Sequence, residues 1–139
     1  MSAPVPGDLG TRVLIADDDE DILELVQLGL SAAGYELIRA RDGRAALAAA
    51  REQMPALALL DIGMPVLDGL EVTSALKNDP VTQDIVVILF TARSEASDVE
   101  KGYAAGADDY LMKPFTLKTL QTRVFAALST QRSQERASR

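Results

Sequence analysis

Apolar runs and polar stops alternate along this chain. Val13-Leu14-Ile15-Ala16 is followed by Asp17-Asp18, Leu57-Ala58-Leu59-Leu60 by Asp61, Val86-Val87-Ile88-Leu89-Phe90 by Thr91, and Tyr110-Leu111-Met112 by Lys113-Pro114. The first three of these runs are apolar throughout, without period-two alternation, as parallel strands covered on both faces require. Between the runs the spacing turns helical. Ile22, Leu25, Val26, Gly29, Leu30 and Ala33 mark a first helix with acids in its opening turn and Gly34 as its stop. A short strand near Glu36 to Ala40, an Ala-rich helix from about Gly43 to Gln53 and the breaker Pro55 come next. Beyond the strand Leu57 to Leu60, the loop Gly63-Met64-Pro65 leads through Asp68-Gly69 into a third helix ending near Asn78, where Asp79-Pro80 breaks it. The strand Ile85 to Phe90, a helix from roughly Glu95 to Ala105, the strand Tyr110 to Met112 and a helix from Thr116 complete the series, the last with Leu117, Leu120, Val124, Ala127 and Leu128 on one face.

Five strand-helix units predict an α/β fold: a five-stranded parallel sheet in a doubly wound, three-layer sandwich. Right-handed crossovers with coverage on both faces leave few strand orders, of which 2-1-3-4-5 is the common five-stranded one. In that order the first and third strands are neighbours at the topological switch point. Asp17, Asp18 and Asp61 then share one sheet edge, with Thr91 and Lys113 beside them. Residues 1–11, rich in Pro and Gly, are expected to form a loose arm, residues 12–130 the compact domain, and residues 131–139 a polar tail or the start of a linker.

Composition narrows the chemistry. At 139 residues the chain fits one domain that buries roughly two-thirds of its unfolded surface. No apolar stretch approaches the ~20 residues that cross a bilayer, and the N-terminus has neither a basic start nor an apolar signal core. The expectation is a soluble cytoplasmic protein with no membrane partner. A net charge of −7 argues against direct nucleic-acid binding, which rests on clustered Lys and Arg. With no Cys and no His, thiolate nucleophiles, Cys-ligated zinc and imidazole bases are excluded. Carboxylates, hydroxyls, lysine or a hard cation remain.

Three carboxylates crowded at one edge raise the cost of ionising one another. Lys113 supplies one compensating charge, and a hard divalent ion, Mg²⁺ or Mn²⁺, complements the acids better, since Mg²⁺ takes one or two carboxylates together with phosphate oxygens. That suggests a phosphoryl-handling site. Asp61, alone at its strand end, is the candidate nucleophile, Asp17 and Asp18 hold the metal, and Thr91 and Lys113 contact the transferred phosphoryl oxygens. Taken singly, each residue has a plainer use as a helix cap, a turn residue or a solvated lysine. Capping needs alone do not place all five at strand ends of one alternating pattern.

The strings VLIADDDED, LALLDIGMPVLDG, VVILFTAR and AGADDYLMKPF give the chain a specific resemblance, over about Arg12 to Leu128, to the receiver domains of two-component response regulators, of the chemotaxis-receiver-like kind. The resemblance implies a flavodoxin-like fold, Asp61 as phosphoacceptor, and Asp17, Asp18, Asp61 and the Gly63 carbonyl around the metal. It implies Thr91 as switch hydroxyl, Lys113 as the phosphate-contacting ammonium before a cis peptide to Pro114, and Tyr110 as a switch aromatic that turns inward as Thr91 moves. The partner it implies is a sensor histidine kinase or histidine phosphotransfer protein, with the surface of the fourth helix, fifth strand and fifth helix reporting the state. Asp108, Asp109 and Arg123 resemble charges that pair across a homodimer axis on that surface in the winged-helix branch of the family. Val99 and Thr119 stand where that branch has a basic and an acidic residue, which makes this dimer type less expected.

Two residues bear on the lifetime of a phosphoryl group: Gly63, which offers no side chain to steer water, and Arg93, which either shields the group or lies in solvent. Two other functions compete with the receiver reading. One is an interaction module that needs no phosphorylation, which the complete acid, hydroxyl and lysine set argues against. The other is a metal-dependent phosphatase acting through an aspartyl phosphate, which needs a further acid where Gly63 stands.

Overall fold

The computed structural model describes residues 10–92 and 96–137. Five strands, β1 (Arg12–Ala16), β2 (Glu36–Ala40), β3 (Leu57–Asp61), β4 (Val86–Thr91) and β5 (Asp109–Met112), alternate with five helices, α1 (Glu20–Ala32), α2 (Gly43–Gln53), α3 (Gly69–Lys77), α4 (Ala96–Ala104) and α5 (Leu117–Ala137). All strand pairs are parallel and the order is β2-β1-β3-β4-β5, as the alternation predicts.

Every residue of β3 and β4 is buried, as are the last four of β1, so the uninterrupted apolar runs reflect two covered faces. On one face Leu14, Leu60, Val87 and Leu89 pack with Ala46, Ala50, Val72 and Leu76 of α2 and α3. On the other, Ile15, Leu59, Ile88 and Phe90 pack with Leu23, Val26 and Leu30 of α1 and with Leu120, Val124 and Leu128 of α5. Each fully buried Leu, Ile or Phe contributes about 1.5–3 kcal/mol. The sheet is therefore rigid where its strand ends carry the chemistry.

Two local features add to the sequence reading. The buried stripe of α1 runs through Leu23, Val26 and Leu30, whereas Leu25 is 40 % exposed. Leu25 sits one helical step of about 100° away from Val26, outside the stripe that meets the sheet. The segment expected as a polar tail from residue 131 continues α5 to Ala137, because Gln, Arg, Glu and Ala are good helix formers and no Pro or Gly interrupts them. Residues 1–9 of the arm expected at 1–11 lie outside the described residues, as do Arg93 and Glu95, the latter at the expected start of the fourth helix.

After β3 the chain is pinned by buried Ile62 and Met64, then makes a tight turn in which the Leu67 amide donates to the Pro65 carbonyl at 2.9 Å around Val66, whose φ is +72°. A β-branched residue in this region costs about 1–3 kcal/mol, and Val66 is 65 % exposed, so little packing offsets it. Val66→Gly is expected to raise stability by about 1 kcal/mol, read as a higher urea midpoint at unchanged slope. An unchanged or lower midpoint would show that the turn holds no such strain.

Candidate phosphoryl-transfer site

β1 and β3 are neighbours, with Ala16 opposite Leu60, so the residues that follow them emerge side by side. Asp17, Asp18 and Asp61 each offer a carboxylate oxygen, and these three atoms lie within 4.8 Å of one another. Asp17 is 1 % exposed and Asp61 6 %, whereas Asp18 faces outward. Asp19 caps α1 by accepting the Asp21 amide at 2.9 Å, and its own amide donates to Asp17 Oδ1 at 2.9 Å, fixing that carboxylate. The acidic run thus divides its work between helix capping and the pocket.

Lys113 reaches into the pocket from the end of β5. Its Nζ donates to Asp17 Oδ2 at 2.7 Å and lies 3.7 Å from Asp61 Oδ1. The ammonium also stands 4.8 Å from the centroid of the Phe90 ring, which meets Phe115 edge-on with centroids 6.1 Å apart. The Lys113-Pro114 peptide is cis, and the Lys113 amide donates to the Thr91 carbonyl at 2.9 Å. Phe90 is opposite Asp61 in the ladder, and Thr91 follows it at the end of β4, 4 % exposed. The five predicted strand-end residues therefore converge on one edge.

Burial raises the pKa of Asp61 above the ordinary carboxylate value, and the neighbouring Asp17 and, less strongly, Asp18 push the same way. Lys113 and the Gly63 amide, which donates to the carboxylate, oppose them without cancelling them. One ammonium does not neutralise three acids. This is the condition that a hard divalent cation relieves, so the residues present fit Mg²⁺. A Cβ on Gly63 would lie 3.6 Å from Asp61 Oδ2, an ordinary contact, so the Asp61 carboxylate is uncrowded on that side.

Gly69 places the end of β3 against α3. Its Cβ, if present, would stand 2.6 Å from the Asp61 carbonyl oxygen and 2.9 Å from the carbonyl carbon, so only glycine permits this approach. Asp68 and Glu71 form a capping box at the same helix start. Tyr110 is opposite Leu89 and 7 % exposed, its ring packed inward among the residues beneath α3 and α4. Gly102 of α4 makes room for the ring, since a Cβ there would lie 3.2 Å from Tyr110 Cδ2.

Sequence reasoning missed two contributors. Phe90 was read only as the end of an apolar strand, and nothing in spacing reveals that its ring lies under an ammonium. Asp68-Gly69 marks the entry to the third helix in the sequence, but spacing alone does not reveal how closely Gly69 approaches the strand behind it.

A five-stranded 2-1-3-4-5 parallel sheet with acids, a hydroxyl and a lysine gathered on one edge defines a doubly wound α/β domain with an acidic site at its switch point. The family model for the response regulator receiver domain matches residues 13–125. The chain belongs to that family.

Among its relatives, the transcriptional regulatory protein PrrA of Mycobacterium tuberculosis is 47 % identical over 117 residues, 84 % of this chain and 49 % of PrrA. The DNA-binding dual master transcriptional regulator RpaA of Synechocystis is 42 % identical over 84 % of this chain and 48 % of its own length. The chain spans about half the length of these curated relatives. A solved receiver domain from Methanospirillum hungatei superposes with a TM-score of 0.84 at 29 % identity, covering 91 % of this chain and 99 % of that one. The chemotaxis response regulator CheY4 of Vibrio cholerae gives 0.80 at 31 % identity, over 85 % and 98 % of the two chains. Among the described residues, no helix is long and apolar enough to cross a membrane.

Proposed function

We propose that this domain accepts a phosphoryl group on Asp61 from a phosphohistidine of a sensor histidine kinase or histidine phosphotransfer protein and reports that state on its α4, β5 and α5 surface. The observation that carries the reading is the pocket itself: three carboxylate oxygens within 4.8 Å of one another, with the Lys113 ammonium 2.7 Å from Asp17 and 3.7 Å from Asp61. Asp61 supplies the attacking oxygen, the phosphorus–nitrogen bond of the donor breaks, and the leaving imidazole takes a proton. Asp17, Asp18, Asp61 and the Gly63 carbonyl would hold Mg²⁺ or Mn²⁺, which when bound neutralises charge on the phosphoryl oxygens. Lys113 is already placed beside the acceptor to pair with the phosphoryl group.

Phosphorylation adds about −1.5 to −2 charges and three acceptor oxygens at Asp61. Thr91 and Lys113 are drawn toward them, and Tyr110, packed inward beneath α4, takes up the space that Thr91 leaves. Thr91→Ala should therefore still accept the phosphoryl group but lose most of the phosphorylation-dependent change in partner affinity. An unchanged affinity shift would remove Thr91 from the switch. The net charge of −7 keeps direct nucleic-acid contact out of this reading, and the domain acts in the cytoplasm. A homodimer through α4, β5 and α5 belongs to the same reading, although Asp108, Asp109 and Arg123 already have partners inside the chain.

Incubation with acetyl phosphate and Mg²⁺ tests the proposal through intact mass. One added phosphoryl group, absent from Asp61→Asn and from samples without the cation, supports it. No gain under any donor favours the phosphorylation-independent module, and sustained release of phosphate from small substrates favours the phosphatase.

A further inference from the structure

β5 closes one side of the sheet, so among the described residues one of its edges faces no other strand. Peptide groups alternate sides along a strand. Since the Lys113 amide donates to Thr91 of β4, the peptide groups of Tyr110, three residues earlier, face the open edge. One ion pair meets both of them. Asp109 Oδ1 accepts the Tyr110 amide at 2.8 Å, and Arg123 Nη2 donates to the Tyr110 carbonyl at 3.1 Å. Arg123 Nε and Nη2 also grip the two oxygens of Asp109, each at 2.6 Å. The hydroxyl of Tyr103, on α4, reaches Asp109 Oδ1 at 3.5 Å.

Asp109 and Arg123, which resemble charges of a dimer face, pair within the chain. Asp108 is engaged likewise, its Oδ2 accepting from Lys77 Nζ at 3.0 Å and from the Val87 amide at 2.8 Å. α4, β5 and α5 thus meet at the main chain of the one residue whose ring fills the space beneath α4.

We propose that Arg123 and Asp109 are positioning residues that clamp the Tyr110 peptide, holding the edge-strand backbone fixed as the Tyr110 ring shifts toward the space Thr91 leaves, and blocking strand addition at that residue. The switching half of this proposal rests on the reading of Tyr110 given above; the clamp does not. An exposed strand edge invites pairing with another chain, and a side-chain fork across it is a means of preventing that. Guanidinium suits the task because its planar fork binds a carboxylate through two nitrogens and still reaches a carbonyl, which a lysine ammonium cannot reproduce. Burial acts to raise the pKa of Asp109, yet the hydrogen bonds from Arg123 and the Tyr110 amide bring it below the ordinary carboxylate value, so the pair stays charged at neutral pH.

Amide hydrogen exchange on the whole, unphosphorylated chain reads the clamp residue by residue. In Arg123→Ala the Tyr110 amide is expected to exchange at least about tenfold faster, while the Leu14 and Leu59 amides in the sheet centre keep their rates. Arg123→Lys should retain most of the increase, and Asp109→Ala, which removes the acceptor itself, should match or exceed it. A Tyr110 rate unchanged in these variants overturns the clamp, as does an increase shared equally by β1 and β3. Arg123→Ala should take label from acetyl phosphate at the wild-type rate, since Arg123 is no part of the acid pocket; a large fall would overturn its assignment to the switch alone. Failure of the wild type to take label defeats the phosphoacceptor reading and leaves the exchange result to judge the clamp.

Discussion

Asp61→Asn is expected to stabilise the protein at neutral pH in the absence of a divalent cation, while abolishing its capacity to accept a phosphoryl group. Burial, Asp17 and Asp18 all disfavour the ionised Asp61 carboxylate, and Lys113 with the Gly63 amide compensates only in part. A group whose folded pKa is raised contributes stability that is complete below its unfolded pKa and is lost as pH rises through the folded one. Ionising Asp61 works against its surroundings, a cost that the neutral amide does not carry. Repulsion outweighs the compensation here, so the Asn variant is expected to unfold at a higher denaturant midpoint at pH 7. Denaturant unfolding of both proteins across pH checks it. The difference should vanish at acidic pH, where the wild-type carboxyl is protonated, and reach full size near neutrality. A less stable Asn variant at pH 7 would mean that Lys113 overcompensates the acids.

The second large effect is steric. Gly69→Ala places a methyl group 2.6 Å from the Asp61 carbonyl oxygen and 3.0 Å from Ile62 Cα, and both are backbone atoms held by the sheet. The start of α3 has to move away from β3, breaking the 3.2 Å hydrogen bond from the Gly69 amide to the Ile62 carbonyl. A loss of about 2–3 kcal/mol is expected, together with slower phosphoryl uptake because the acceptor strand end shifts. Gly63→Ala is the control, since its Cβ would meet Asp61 only at 3.6 Å. Similar stability of the two variants, measured by thermal unfolding, would contradict the close approach.

Much of the architecture was legible because two-sided burial writes itself as uninterrupted apolar runs. β1, β3 and β4 could be read from Val13, Leu57 and Val86 onward, and their polar stops mark the functional edge because a carboxylate ends a buried strand only where it meets solvent or chemistry. What the sequence could not show were contacts made across elements. Leu25 and Val26 are equally apolar, and only docking on the sheet decides which is covered. The continuation of α5 past Leu128 depends on helix propensity without an apolar stripe, so periodicity is silent there. The in-chain pairing of Arg123 with Asp109 and the ring of Phe90 beneath Lys113 join residues 14 and 23 positions apart, and no local pattern encodes either.

The central proposal is that Asp61 accepts the phosphoryl group in a pocket shared with Asp17, Asp18 and Lys113. Its most direct measurement is borohydride reduction of protein treated with acetyl phosphate and Mg²⁺, followed by peptide mass spectrometry, because an acyl phosphate is reduced to an alcohol that marks its position. The account predicts homoserine at position 61, dependent on both donor and cation. Label at any other carboxylate, or none at position 61 under saturating donor, would contradict it.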